Sequence, residues 1–324
     1  VLGRGKRSKE VKEIIKELTG VETPTLDDII NSFATYTSLL LEEKDIAKLM
    51  ELAKVVDEYD VLIVRSSTKI SKDIIESGKR LKIIARPGSG LDNINLEVAK
   101  RKGIKVLNSP KAVAESVAEL VIALILVLCR NIYEACRSLK EGRWERYSFI
   151  GTQISGKTIG VVGVGNVGSL VVRKAASLGL RVLGYDKKNI DNIAKEVGME
   201  VASSLEELIK ESDVVSLHVP LTNETYHMIG WDELTLFKRS SYLINTSRGR
   251  VVDGRALLHA LERRVLAGAA LDVFEYEPPK EEWEWRLIRH PRVIATPHIG
   301  ALTQESLDKA SMEIARSIVR ELSI

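Results

Sequence analysis

Three separated stretches each follow a short β-branched run and carry a group able to do chemistry: Arg248 in Asn245-Thr-Ser-Arg-Gly-Arg250, Glu277 in Asp272-Val-Phe-Glu-Tyr-Glu-Pro-Pro279, and His298 in Ala295-Thr-Pro-His-Ile-Gly300. A guanidinium grips a carboxylate through forked hydrogen bonds, an imidazole takes or gives a proton near neutral pH, and a carboxylate holds that imidazole in one orientation. Oxidation or reduction at a hydroxyl-bearing carbon requires groups of these types. Each also has a bland reading: Arg248 as a surface ion pair, Glu277 as a loop carboxylate before prolines, His298 as a cap on the following helix. Their shared placement at strand ends, where open α/β sheets bind ligands, favours the chemical reading.

A fourth stretch, Thr158-Ile-Gly-Val-Val-Gly-Val-Gly-Asn-Val-Gly168, reads G-x-G-x-x-G between an apolar strand and a helical pattern. In that context Gly163 permits a tight turn, Gly165 permits close approach of backbone to a pyrophosphate, and Gly168 lets helix and strand pack closely. Asn166 and Val167 then open the helix, whose N-terminus favours an anion. Asp186 closes the next strand, Arg181-Val-Leu-Gly-Tyr-Asp186. Its carboxylate suits a ribose 2′-hydroxyl and repels a 2′-phosphate, which favours NAD over NADP. Lys187 and Lys188 follow directly, and exposed loop lysines are their simplest reading. Ser212-Asp-Val-Val-Ser-Leu-His-Val-Pro220 resembles a strand and loop lining an adenine pocket, with Val219 and Pro220 at its end. For His218 a satisfied histidine at a strand end is at least as good a reading as a catalytic one.

Positioning these groups takes alternating strands and helices, the pattern of parallel sheets covered by helices. Strands are expected at Asp60–Val64, Lys82–Ala85, Lys105–Leu107, Thr158–Val162, Arg181–Tyr185, Val214–Leu217, Tyr242–Ile244, Ala269–Val273 and Val293–Ala295. The main helices are expected at Ser116–Asn131, Val167–Leu178, Ser204–Glu211, Gly254–Arg263 and Gln304–Leu322. The pattern divides the chain into a substrate domain over residues 1–108, completed by 301–324, and a cofactor domain over 109–300. The first 60 residues are hardest to read: a strand at Phe33–Thr37 and a helix over Glu42–Ala53 follow an opening reduced to Val1-Leu2.

From about Asp60 onward the chain resembles the D-2-hydroxyacid dehydrogenase family, and within it the D-3-phosphoglycerate dehydrogenase branch. The ordered set of G-x-G-x-x-G, a distant Asp, S-R-G, E-P-P and T-P-H-I-G carries the resemblance. It implies two doubly wound parallel-sheet domains, a Rossmann NAD-binding domain and a flavodoxin-like substrate domain, with a cleft between them. It further implies that Arg248 clamps the substrate carboxylate, that His298 is the general acid/base, and that Glu277 orients the imidazole and favours its charged form. Thr246 and Asp272 would help seat the nicotinamide end, and Gly300 would also line the cofactor site. The opening strand of the first domain is normally longer in this family. Val1-Leu2 is its remnant, or the start of the chain is misplaced, or the sheet is altered.

The phosphoglycerate branch is matched by Val61-Leu-Ile-Val-Arg-Ser-Ser-Thr-Lys-Ile70 and Ala85-Arg-Pro-Gly-Ser-Gly-Leu-Asp-Asn93. Arg65 and Arg86 are the candidates for gripping a phosphate, with Lys69 secondary. Backbone N–H groups of the Gly88–Gly90 turn, Ser89 and Gly90 among them, form a nest for a carboxylate. Pro87 departs from the pattern because it has no N–H to offer. Asn108-Ser-Pro-Lys111 likewise replaces a glycine-rich stretch. The expected reaction is NAD-dependent oxidation of 3-phospho-D-glycerate, the first step of serine biosynthesis, in a short form ending after the family's last helix. The alternatives are a reductase of glyoxylate, hydroxypyruvate or a D-lactate-type acid, and a non-catalytic NAD-sensing module.

Composition agrees with an enzyme of small molecules: 324 residues, 44% hydrophobic, 29% charged, net charge +3. No basic field suggests nucleic acid, and the apolar run Leu120–Cys129 is too short for a membrane span. Cys129 and Cys136 read as small buried side chains sharing one helix face, fitting a reducing, cytoplasmic setting. No metal site is expected. The resemblance implies a homodimer through the cofactor domain, for which the apolar helix at Ser116–Cys129 and the arm that follows offer a surface.

Overall fold

The computed structural model describes residues 52–65 and 68–322. The strand expected at Phe33–Thr37, nearly all of the helix expected over Glu42–Ala53, and Val1-Leu2 lie outside them. The chain splits into two units, one of residues up to Val113 joined by Ala301 onward, the other Ala114–Gly300.

In the first unit, β1 (Val61–Ile63), α1 (Lys72–Ser77), β2 (Ile83–Arg86), α2 (Leu96–Arg101) and β3 (Lys105–Asn108) follow one another. The strands pair in parallel in the order β1-β2-β3. The Asn95 side chain starts α2 by accepting the Val98 N–H at 3.1 Å, as a helix cap should. One face of the sheet, with Val64 and Ile84, packs on Ile74, Ile75, Val98 and Ala99 of the two helices.

The second unit opens with α3 (Ala114–Cys129) and α4 (Ile132–Lys140), then alternates β4 (Thr158–Val162), α5 (Asn166–Ser177), β5 (Arg181–Tyr185), α6 (Asp191–Val197) and β6 (Glu200–Val201). It continues through α7 (Leu205–Glu211), β7 (Val214–Leu217), α8 (Trp231–Thr235), β8 (Tyr242–Asn245), α9 (Gly254–Glu262), β9 (Gly268–Leu271), α10 (Glu282–Ile288) and β10 (Val293–Ala295). The seven strands lie in the order β10-β9-β8-β7-β4-β5-β6. Every pairing is parallel. This is the Rossmann order, with the direction of winding reversing between β4 and β7. The expected fold class, parallel-sheet α/β with a Rossmann domain, is therefore observed.

The apolar stripe of α3, Ala118, Val121, Leu124 and Ile125, packs against Val171, Val172 and Ala175 of α5 and against the sheet. Each large apolar side chain removed from water there contributes about 1.5–3 kcal/mol. Among the described residues no single helix is long and apolar enough to cross a membrane; α3 and α4 pass only as a pair, and they are bent by 64°. The bend falls at Asn131, whose φ of 52° is left-handed and ends the helix earlier than the apolar pattern suggests. It also corrects the reading of the cysteines: they lie on different helices, Cys129 buried and Cys136 exposed. Burial pushes the Cys129 thiol up to about 11.

After β10 the chain returns to the first unit as α11 (Gln304–Leu322). Its Ile314 and Ile318 cover the second face of the three-stranded sheet at Val61, Ile83 and Ala85.

Candidate active site

In a wholly parallel sheet every strand ends on the same edge, so the expected cofactor residues collect there. Gly163 follows β4, Asp186 follows β5, Val219 and Pro220 follow β7, Thr246 follows β8, Asp272 follows β9 and Gly300 follows β10. Gly163 has φ +88°, and a Cβ on it would stand 2.8 Å from the His218 carbonyl oxygen. A Cβ on Gly168 would reach 2.0 Å from the Gly163 oxygen, so helix α5 sits this close to the turn only because both residues are glycine. At Gly165 a Cβ would meet nothing within 4 Å, which leaves the start of α5, with Asn166 and Val167 in its first turn, open to an incoming group.

Asp186 is held by its neighbours: one carboxylate oxygen accepts the Val164 N–H at 2.8 Å and the other the Lys188 N–H at 2.8 Å. The carboxylate is thereby fixed beside the glycine turn. Thr246 supplies a buried hydroxyl with no hydrogen-bond partner among the described residues. An open helix start, a fixed carboxylate and an orphan hydroxyl along one edge fit a dinucleotide. His218 takes the satisfied reading: its Nε2 lies 2.9 Å from the Ser216 hydroxyl, and burial holds its imidazole down at about 3, so it is neutral near pH 7.

Arg248, Glu277 and His298 follow the adjacent strands β8, β9 and β10. Glu277 and His298 meet directly, Oε2 to Nδ1 at 2.7 Å. The His298 backbone is left-handed, φ 54°, an uncommon conformation for a non-glycine residue. What holds it is Asp272, only 1% exposed. Its carboxylate accepts the Thr296 hydroxyl at 2.6 Å, the Ile299 N–H at 2.8 Å and the Gly300 N–H at 2.8 Å. Both oxygens are thus committed to the loop that carries the histidine, a role the sequence did not announce. Asn245 does the same for the Arg248 turn, accepting from Ser247 and donating to the Arg248 carbonyl at 2.9 Å. The signal for both was a buried polar residue at a strand end. Most of their partners are backbone atoms, which a sequence does not spell out. Arg248 itself donates to the Ser247 carbonyl at 2.6 Å.

In the first unit, the pairing of Ile63 with Ala85 and the bond from Val64 N–H to the Ala85 oxygen put Arg65 and Arg86 at the same edge of neighbouring strands. The expected backbone nest is smaller than the sequence suggests. Pro87 has no N–H, and that of Gly88 already donates to the Ser109 hydroxyl at 2.8 Å. Ser89, which is exposed, and Gly90 remain in the turn.

The family model for "D-isomer specific 2-hydroxyacid dehydrogenase, NAD binding domain" matches residues 122–300. A hydroxypyruvate reductase of Thermotoga maritima is 45% identical over 274 residues, covering 85% of this chain and 88% of that protein. A D-3-phosphoglycerate dehydrogenase of Methanocaldococcus jannaschii is 43% identical over 272 residues, covering 84% of this chain but 51% of that protein, so this chain spans about half of its length. Among solved structures, a D-lactate dehydrogenase from Aquifex aeolicus complexed with NAD and lactic acid superposes with a TM-score of 0.79 at 31% identity, covering 87% of this chain and 94% of that one. With a matching family model, a relative this similar over most of both chains, and a Rossmann sheet bearing the cofactor fingerprint, the chain belongs to the D-isomer-specific 2-hydroxyacid dehydrogenases, a family of NAD-dependent enzymes.

Proposed function

We propose that this chain interconverts 3-phospho-D-glycerate and 3-phosphohydroxypyruvate, the reaction that opens serine biosynthesis. The observation that carries the chemistry is the 2.7 Å contact between Glu277 and His298. With Nδ1 occupied by the carboxylate, Nε2 is the ring atom that takes the hydroxyl proton in oxidation and returns it in reduction. Arg248 pairs with the substrate carboxylate. NAD, when bound, accepts the hydride leaving the hydroxyl-bearing carbon. Gly163, Gly165, Asn166, Val167 and Gly168 would hold its pyrophosphate, Asp186 its ribose, Val219 and Pro220 its adenine, and Thr246, Asp272 and Gly300 its nicotinamide end.

The phosphate is assigned to Arg65 and Arg86, whose neighbouring strand ends suit two-guanidinium recognition, with Ser89 and Gly90 at the carboxylate. The M. jannaschii relative supports this substrate by its name. The T. maritima relative, matched over more of its length, supports a second reading as a reductase of hydroxypyruvate or glyoxylate. Parallel assays of NADH formation with 3-phospho-D-glycerate, D-glycerate and D-lactate separate the two. Preference for the phosphorylated acid, abolished in R65A/R86A, is the expected result. Preference for unphosphorylated acids moves the function to the second reading.

A homodimer is part of the same proposal. The arm after α3 exposes Tyr133, Leu139, Trp144, Tyr147 and Ile150, more apolar surface than a solvated arm needs. A monomer by light scattering at micromolar concentration removes it.

A further inference from the structure

Between β9 and α10 the chain has no regular structure, and Glu277 sits in the middle of that span. What fixes it there is a second carboxylate. Glu284, in the first turn of α10, is 1% exposed. One of its oxygens accepts the N–H of Lys280 at 2.9 Å and of Glu281 at 3.3 Å. Those contacts belong to an ordinary helix start, where a glutamate in the first turn reaches back to the cap. The other oxygen does something different: it accepts the N–H of Tyr276, eight residues back, at 3.1 Å. Tyr276 is the residue joined to Glu277. Both ends of the segment 276–281 are therefore tied to one buried side chain, and Glu277 projects from between them.

Glu277 needs such a support. Its side chain is 36% exposed, and besides His298 it meets the Phe274 N–H at 3.2 Å. A buried carboxylate is itself costly unless its hydrogen bonds are met, and three backbone donors meet those of Glu284. We propose that Glu284 is a positioning residue that keeps Glu277 in register with His298 by pinning the Tyr276 peptide. The proposal rests on the catalytic assignment of Glu277 and His298 given above.

The test uses the full chain, NADH, and whichever of 3-phosphohydroxypyruvate, hydroxypyruvate and glyoxylate the unaltered protein reduces fastest. E284D keeps the charge and the short contacts at the helix start but loses the reach to Tyr276; E284Q keeps the length and loses an acceptor. Both lower kcat by about 10-fold, the scale of a sub-ångström misplacement, with KM and NADH binding by fluorescence titration unchanged. E281A, which alters the cap residue but keeps its backbone N–H on Glu284, leaves kcat intact. In an E277Q background, E284Q adds no further loss, because it acts through Glu277.

A wild-type kcat in E284D and E284Q, or an equal loss with and without Glu277, overturns the proposal while leaving the catalytic pair standing. A wild-type kcat in E277Q overturns the catalytic assignment, and this proposal with it.

Discussion

Around His298 the loops are fixed by buried carboxylates, whereas around Arg65 and Arg86 they are fixed by neutral side chains. In the first case Asp272 takes three donors from the segment 296–300 and Glu284 takes three from 276–281. In the second, the Asn93 amide donates to the Arg65 and Thr68 carbonyls at 2.9 and 2.7 Å, Asn108 to the Ser89 carbonyl at 2.7 Å, and Ser109 accepts from Gly88. Hydrogen bonds to an ionised acceptor are roughly twice as strong as those between neutral groups. The proton transfer proposed at His298 would tolerate little displacement, and the stiffer anchoring lies around it. The turn assigned to substrate choice is held by bonds of about 1 kcal/mol each, and altering it costs the fold correspondingly less.

That contrast can be broken or sharpened by experiment. The largest effect belongs to His298→Ala, which should lower kcat about 10³-fold while leaving the melting temperature near that of the parent, because the side chain is half-exposed. A small loss removes the proton-transfer role. Next, Asp272→Ala leaves three donors without their acceptor, the Gly300 N–H in the interior, and should cost about 3 kcal/mol in urea unfolding, with kcat down about 10²-fold as the histidine loop loosens. Full activity in a stable D272A protein would falsify the idea that buried charge sets the catalytic geometry.

His218 offers a finer check at a point where this same unit buries a neutral group. Its folded value of about 3 lies below the ordinary 6.5, so between those limits the unfolded chain binds a proton that the folded one refuses. Its stability contribution is present above pH 6.5 and is lost as pH falls toward 3, by up to about 1.4 kcal/mol per unit. The parent should therefore lose urea stability on acidification more steeply than H218Q, and identical slopes would show that the ring is solvated. The smallest effect is reserved for the neutral anchoring: Ser109→Ala should cost about 1 kcal/mol and leave kcat unchanged.

Much of this was legible in the sequence because it lies in side-chain type and period. Strands at Thr158–Val162, Arg181–Tyr185, Val214–Leu217 and Val293–Ala295 appear at the expected bounds, and so does the helix Gln304–Leu322. The glycine motif and the trio at the strand ends were equally plain. The Asn131 break was not, since one left-handed residue interrupts an otherwise continuous helical pattern. Nor was β6, two exposed residues at a sheet edge with no apolar face to mark them. The narrowing of the Gly88 turn and the anchoring by Asp272 and Glu284 depend on which backbone N–H is already engaged. That depends on tertiary contacts between segments far apart in the chain.

The return of α11 to the three-stranded sheet also sets an order of events during synthesis. Residues 114–300 form one unbroken stretch, so that unit has all its parts once Gly300 has emerged. The sheet made earlier must wait. Val61, Ile83 and Ala85 lack the cover of Ile314 and Ile318 until those residues arrive, the whole second unit later. A chain stalled in that interval presents the sheet without its closing helix, the kind of apolar surface that aggregates or recruits chaperones.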